Sequence, residues 1–345
     1  MIAGNEAQHP HDDAVLQSTS QLPAMPPSTL QKVFFGEEGL RAIWSFLIFI
    51  ALLAALWLSM KAISDKLFPP SHWKDVIPLR LDVFIGEAIP FLATLFASWI
   101  MSKIERRPNS VYGLGGRRKV PHFFAGLAWG VTCLSLLVFT LWKTGLLVFD
   151  NRLLFGGDIF RYGAVWLVGF LLVGLLEEYL TRGYLQYTLT RGLAGFYRWA
   201  FKTPHSVALG FWTSALALSI LFGLSHGNNP GESPIGLLAA GLVAMVLCLS
   251  LWRTGALWWA IGFHTAWDWS ESFLYGVPDS GLMVQHHVLA GYPVGKPVLS
   301  GGATGPEGSI MTLAIMALTI LIILFTLPRT SKGYASNLSA HRLET

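Results

Sequence analysis

The chain has 345 residues, of which 53% are hydrophobic and only 13% charged, with a formal charge of +4. A soluble globular domain carries about 25% charged residues, so lipid must solvate much of this apolar surface and a water-soluble enzyme is excluded. The Lys and Arg residues fall in the gaps between apolar runs rather than in one patch or stripe, which argues against nucleic acid as a partner.

Residues 1–32 are polar and include Pro23, Pro26 and Pro27. They read as a disordered cytoplasmic tail without the basic start and apolar middle of a signal peptide, so the first apolar run is expected to act as its own insertion signal. A membrane-spanning helix needs roughly 20 mostly apolar residues. On that criterion the expected spans are 42–60, 84–101, 123–142, 162–181, 207–226, 235–251, 256–272 and 309–327. The fold class is therefore all-α: a polytopic membrane bundle of about eight spans, forming one domain over 33–330, with 331–345 as a polar tail. The stretch 273–308, rich in Gly and Pro, reads as an extramembrane loop. Cys133 and Cys248 each lie inside an apolar run and make no CxxC pair, so they read as small buried hydrophobes.

Lys103, Arg106, Arg107, Arg117, Arg118 and Lys119 share the loop 102–122, which the positive-inside rule assigns to the cytoplasm. Eight spans then leave both termini cytoplasmic, in a multi-pass protein expected in the plasma membrane. Glu87, early in the second span near Pro90, reads as a helix-end carboxylate, and Glu37-Glu38 as an exposed interfacial pair.

The most informative segment is Leu175-Leu-Glu-Glu-Tyr-Leu-Thr-Arg182. Two adjacent carboxylates close a run, 161–176, whose only charge is Arg161. A charge at the bilayer centre costs about 3 kcal/mol even on the lenient insertion scale, so the pair needs a partner, a water-filled cavity or a proton. Glu178 and Arg182 are four apart and can pair on one helical face. Glu177 points about 100° away and lacks that partner, which suits a general base. An interfacial ion pair is the plainer reading, and the residues alone favour neither. Two further segments carry polar groups in apolar runs: Phe222-Gly-Leu-Ser-His226 and His264-Thr-Ala-Trp-Asp268. Each taken alone fits a structural hydrogen bond or a satisfied buried pair. Together they supply Glu, His, His and Asp from three spans, which points to one interior site.

These segments resemble the motifs of the CPBP family of intramembrane proteases, which includes the type II CAAX prenyl proteases and bacteriocin-processing, Abi-like proteins. The family's Glu-Glu-x-x-x-Arg, Phe-x-x-x-His and His-x-x-x-Asn read here as Glu177-Glu178-x-x-x-Arg182, Phe222-x-x-x-His226 and His264-x-x-x-Asp268. The resemblance covers roughly residues 160–272. It implies peptide-bond hydrolysis of membrane-associated protein or peptide substrates, without a covalent intermediate and without a cofactor. Glu177 would polarise water, His226 would position it, and His264 with residue 268 would stabilise the oxyanion. Glu178, Arg182 and Phe222 would support the site. The departure is Asp268 where the family commonly has Asn: Asn donates to an oxyanion, whereas an ionised Asp cannot.

Three other readings stand beside this one. Glu177, His226 and His264 are a set that zinc accepts, although H-E-x-x-H is absent. Gly223-Leu-Ser225-His-Gly227 matches G-x-S-x-G, which would make Ser225 a rhomboid-like nucleophile with His264 as base. A scaffold, immunity protein or transporter would use the same polar groups to join helices. Geometry sets a condition on any shared site. If the fourth span ended at Arg182, Glu177 and His226 would lie at opposite faces, separated by roughly 20 Å. The fourth helix is therefore expected to continue towards Arg191.

Overall fold

The computed structural model describes residues 29–36, 39–68, 81–328, 333–335 and 338. Most of the expected terminal tails, the Glu37-Glu38 pair and much of the loop after the first span lie outside these residues. The chain is built from α1 (Ala42–Leu67), α2 (Leu81–Ile104), α3 (Lys119–Lys143), α4 (Gly157–Phe201), α5 (Ser206–Ser225), α6 (Pro234–Thr254), α7 (Trp258–Trp269, prolonged by Ser270–Leu274) and α8 (Thr312–Thr326). Six of these, α1 to α6, are long and apolar enough to cross a membrane. The other two expected spans are present as the shorter helices α7 and α8.

The fourth apolar run does not stop at Arg182. It continues as a 45-residue helix to Phe201, roughly 65 Å at 1.5 Å per residue and so about twice the hydrocarbon thickness. Its second half, Gln186–Phe201, carries Arg191, Arg198, Tyr197 and Trp199, residues suited to the membrane–water interface. Glu177 therefore sits within the bundle rather than at a helix end.

Two stretches wind wider than an α-helix, with π-type geometry: Glu178–Leu185 in α4 and Ser270–Leu274 at the end of α7. Such insertions turn side chains out of the regular 100° progression and concentrate at functional sites. The first contains Glu178 and Arg182, and the second begins two residues after Asp268.

The tightest helix pair is α3 with α7. A Cβ on Gly126 would run into the Trp259 carbonyl, one on Gly130 into the Phe263 carbonyl, and one on Gly262 into the Phe123 carbonyl. Small residues let membrane helices approach backbone to backbone, where dispersion replaces the absent hydrophobic drive. Around this contact Leu134, Leu137, Leu247, Trp259, Phe263 and Ile323 form one buried cluster. A second, richer in tyrosine, packs Phe49, Tyr112, Tyr179, Tyr184 and Tyr187 around the π-type part of α4. Beside it Arg191 donates to Glu105 Oε1 (3.0 Å), Ser45 Oγ (2.8 Å) and the Leu40 carbonyl (2.9 Å), tying α1, α2 and α4 together. The connection into α6 is capped by Ser233, which accepts from the Gly236 N–H (3.1 Å), with Pro234 at the first helical position.

The bundle is not wholly helical. β1 (Leu147–Arg152) pairs antiparallel with β2 (Leu289–Pro293). The stretch expected as a plain extramembrane loop thus folds back onto the connection between α3 and α4. Alternation over five or six residues is too short a signal to stand out in a Gly- and Pro-rich stretch.

Replacing Gly130 by Leu should force α3 and α7 apart and destabilise the protein by about 2 kcal/mol, in the range of overpacked cores. Thermal unfolding of the purified protein in detergent measures it, with the open-space Gly195→Leu on α4 as a control expected to change little.

Candidate active site

A cavity of about 380 Å³ opens among α4, α5, α6 and α7. Glu177 and Arg182 from α4, Phe222 and His226 at the end of α5, and His264 and Asp268 from α7 all line it. The three motifs, separated by tens of residues, are therefore brought to one place. Glu178 is the exception: it lies behind the cavity wall and is fully buried.

Glu178 holds the site together from there. Arg182 Nη1 donates to Glu178 Oε1 at 2.8 Å, and His264 Nδ1 donates to the same oxygen, also at 2.8 Å. The pair expected from the i, i+4 spacing is thus present, and it reaches across to a second helix. The Arg182 guanidinium also stacks over the Phe222 ring, 4.4 Å from its centroid, joining α5 to the same network. Three helices are in this way fixed by one carboxylate and one guanidinium.

The other edge of the His264 ring faces the cavity. Its Nε2 lies 3.6 Å from Glu177 Oε2 and 3.4 Å from Asp268 Oδ2. The Glu177 side chain keeps 29% exposure, against 0% for Glu178. Glu177 Oε2 has no hydrogen-bond partner. The two adjacent glutamates thus differ as their spacing from Arg182 suggested: Glu178 is tied through Oε1 to Arg182 and His264, and Glu177 is part-exposed and lines the cavity without an arginine partner. His226 Nδ1 donates to the Phe222 carbonyl at 2.8 Å, which fixes the ring and leaves Nε2 unprotonated in the neutral tautomer.

Ser225 also lines the cavity, but its hydroxyl donates to the Phe222 carbonyl of its own helix at 2.7 Å. Among the described residues, the group of three or more ligand atoms lying within 4.8 Å of one another is Glu271, Asp279 and Glu307; Glu177, His226 and His264 do not form such a group.

The cavity has residues that the sequence did not place in a site. Glu87, read as a helix-end carboxylate early in α2, lines it as well. Asp279, Ser280 and Glu307 supply a wall from the 275–311 segment. These residues follow no apolar periodicity, and no spacing could have joined them to motifs on helices.

Residues 160–270 match a family model described as "Type II CAAX prenyl endopeptidase Rce1-like". The match covers about a third of the chain and contains all three motifs, from before Glu177 to just beyond Asp268. The matched segment is the one whose motifs resemble those of the CPBP family. No curated protein and no solved structure matches the chain.

Arg182→Met would leave Glu178 buried beside a single imidazole. It should cost about 3 kcal/mol, since breaking a buried pair strands a charge. Removing both partners in Arg182→Met/Glu178→Leu should cost at least about 1 kcal/mol less than the sum of the single changes, the mark of direct coupling. Denaturation of the four proteins in one detergent provides the cycle.

Proposed function

We propose that the chain is an intramembrane endopeptidase that cleaves membrane-associated protein or peptide substrates with water activated by Glu177. The observation that carries this reading is the contrast between the two adjacent glutamates. Glu178 is fully buried, with Arg182 and His264 both bonded to its Oε1, whereas Glu177 is part-exposed, lines the cavity shared with both motif histidines and makes no hydrogen bond through Oε2.

In the proposed reaction a water held between Glu177 and His226 gives its proton to the Glu177 carboxylate as its oxygen adds to the scissile carbonyl carbon. Charge develops on the carbonyl oxygen, and His264 meets it with its cavity-facing N–H. In the imidazolium form His264 donates at both edges, to Glu178 on one side and into the cavity on the other. Asp268 assists as a donor when it carries a proton, and orients His264 when it does not. Collapse of the intermediate breaks the C–N bond, and the proton held by Glu177 passes to the leaving amine. The substrate acquires one water in all, and no acyl-enzyme forms. No metal is assigned to this step. Zinc at Glu177, His226 and His264 is the alternative, and it predicts loss of activity with a strong chelator and recovery on adding Zn²⁺.

The matched family is described as a CAAX prenyl endopeptidase, so a prenylated CAAX peptide in mixed micelles is the first substrate to assay. The eight helices α1 to α8 are proposed to cross or enter the bilayer with both termini in the cytoplasm, in the plasma membrane. Cysteines placed at Arg106 and Lys296 should then be labelled from opposite sides; labelling of both from one side would overturn that topology.

Glu177→Gln should lower cleavage by at least about 100-fold, the usual contribution of a positioned general base. His226→Ala should be comparably severe, and Ser225→Ala should keep substantial activity. Asp268→Asn separates the two roles of that residue: retained activity that extends to higher pH marks a donor, and a displaced pH profile marks an orienting carboxylate. A Glu177→Gln protein as active as wild type beside an inactive Ser225→Ala would overturn the assignment.

A further inference from the structure

Beyond the Glu177 centre, a second set of acidic side chains converges where α7 meets the following loop. One carboxylate oxygen from each of Glu271, Asp279 and Glu307 lies within 4.8 Å of the other two. Glu271 is fully buried, its carboxylate is directed into this group, and its Oε2 has no hydrogen-bond partner. The remaining contacts are neutral. Ser280 donates to Glu307 Oε1 through its N–H and its hydroxyl (both 2.7 Å), Ser272 Oγ donates to Asp279 Oδ2 (3.1 Å), and the Glu307 N–H donates to Glu271 Oε1 (3.4 Å). Among the described residues no lysine or arginine forms an ion pair with any of the three. The backbone closes tightly around them. Gly305 takes φ +112°, and a Cβ there would run into the Pro278 carbonyl and come 3.1 Å from Glu271 Oε1.

Three carboxylates this close, one of them fully buried, must either share protons or hold a cation between them. We propose that Glu271, Asp279 and Glu307 bind a divalent cation of the calcium class, which clamps the 275–311 segment onto the end of α7. The donor set decides the class. All the side-chain ligands are oxygens, with neither imidazole nor thiolate, which selects a hard cation over zinc. Calcium takes oxygens at about 2.3–2.6 Å, so two of its ligands can stand nearly 5 Å apart across the ion, whereas magnesium at about 2.1 Å needs a tighter cage. Asp279 and Glu307 also line the Glu177 cavity, so the clamp fixes one wall of that cavity without entering its chemistry. The proposal stands on this cluster alone and does not depend on what Glu177 does.

The test uses the full-length protein in detergent, stripped with a chelating resin and titrated with CaCl₂. Wild type should bind one Ca²⁺ per chain by calorimetry, and saturation should raise its melting temperature by about 2 °C or more. Glu271→Gln and Asp279→Asn, which keep the shape and remove the charge, should each weaken binding at least tenfold, while Glu177→Gln should bind as wild type does. Wild type that shows neither binding heat nor a thermal shift would overturn the proposal in favour of shared protons in the cluster. Calcium binding unchanged in Glu271→Gln, or lost in Glu177→Gln, would overturn it by moving the ion elsewhere.

Discussion

Arg182, Glu178 and His264 form one buried chain of charge, and the site is organised around it. Inside a bilayer a carboxylate must be paired, protonated or wetted, and Glu178 takes the first course twice over, with a guanidinium from its own helix and an imidazole from another. The arrangement fixes the distance between α4 and α7 as well as the orientation of the His264 ring. Because Arg182 is paired with Glu178, Glu177 has no arginine partner and lines the cavity with its Oε2 3.6 Å from His264 Nε2.

The rest of the fold places this chain inside the helical bundle. α4 runs on past Arg182, so that Glu177 falls within the bundle, and α5 ends with His226 at the same cavity. α7, which carries His264 and Asp268, is held by α3 through glycines that allow backbone contact. The wide turns after Glu177 and after Trp269 then rotate neighbouring side chains out of simple helical order. Around the cavity the lipid-facing surface is ordinary membrane helix: α1 buries Ser45 and Phe49 and leaves most of its length to lipid.

Much of this was readable from residue order. The apolar runs gave the long helices, because a 20-residue hydrophobic stretch has few alternatives to a membrane span. The i, i+4 spacing gave the Glu178–Arg182 pair, and the depth of the two motifs required α4 to be long. The second bond of Glu178, to His264, was not readable, because it depends on the rotation of α7 against α4. Nor were the π-type turns, which depend on how each helix is packed rather than on a residue pattern. The 275–311 segment was the largest gap: its Asp279 and Glu307 reach the cavity through irregular backbone and a strand pairing with 147–152, neither of which leaves a periodic trace.

A chemical division of labour follows from these positions. In the proposed mechanism one glutamate serves structure and its neighbour the reaction, and the helical offset between adjacent residues is what separates them. His264 touches both, since its Nδ1 is bonded to Glu178 and its Nε2 faces Glu177. The most direct test is a cryo-electron microscopy structure of the protein with an uncleavable peptide ketone analogue. The account predicts the added oxygen of the hydrated ketone within about 3 Å of Glu177 and the second oxygen directed to His264 Nε2. A covalent bond from Ser225 Oγ to the ketone carbon, with Glu177 turned away from the ligand, would contradict it.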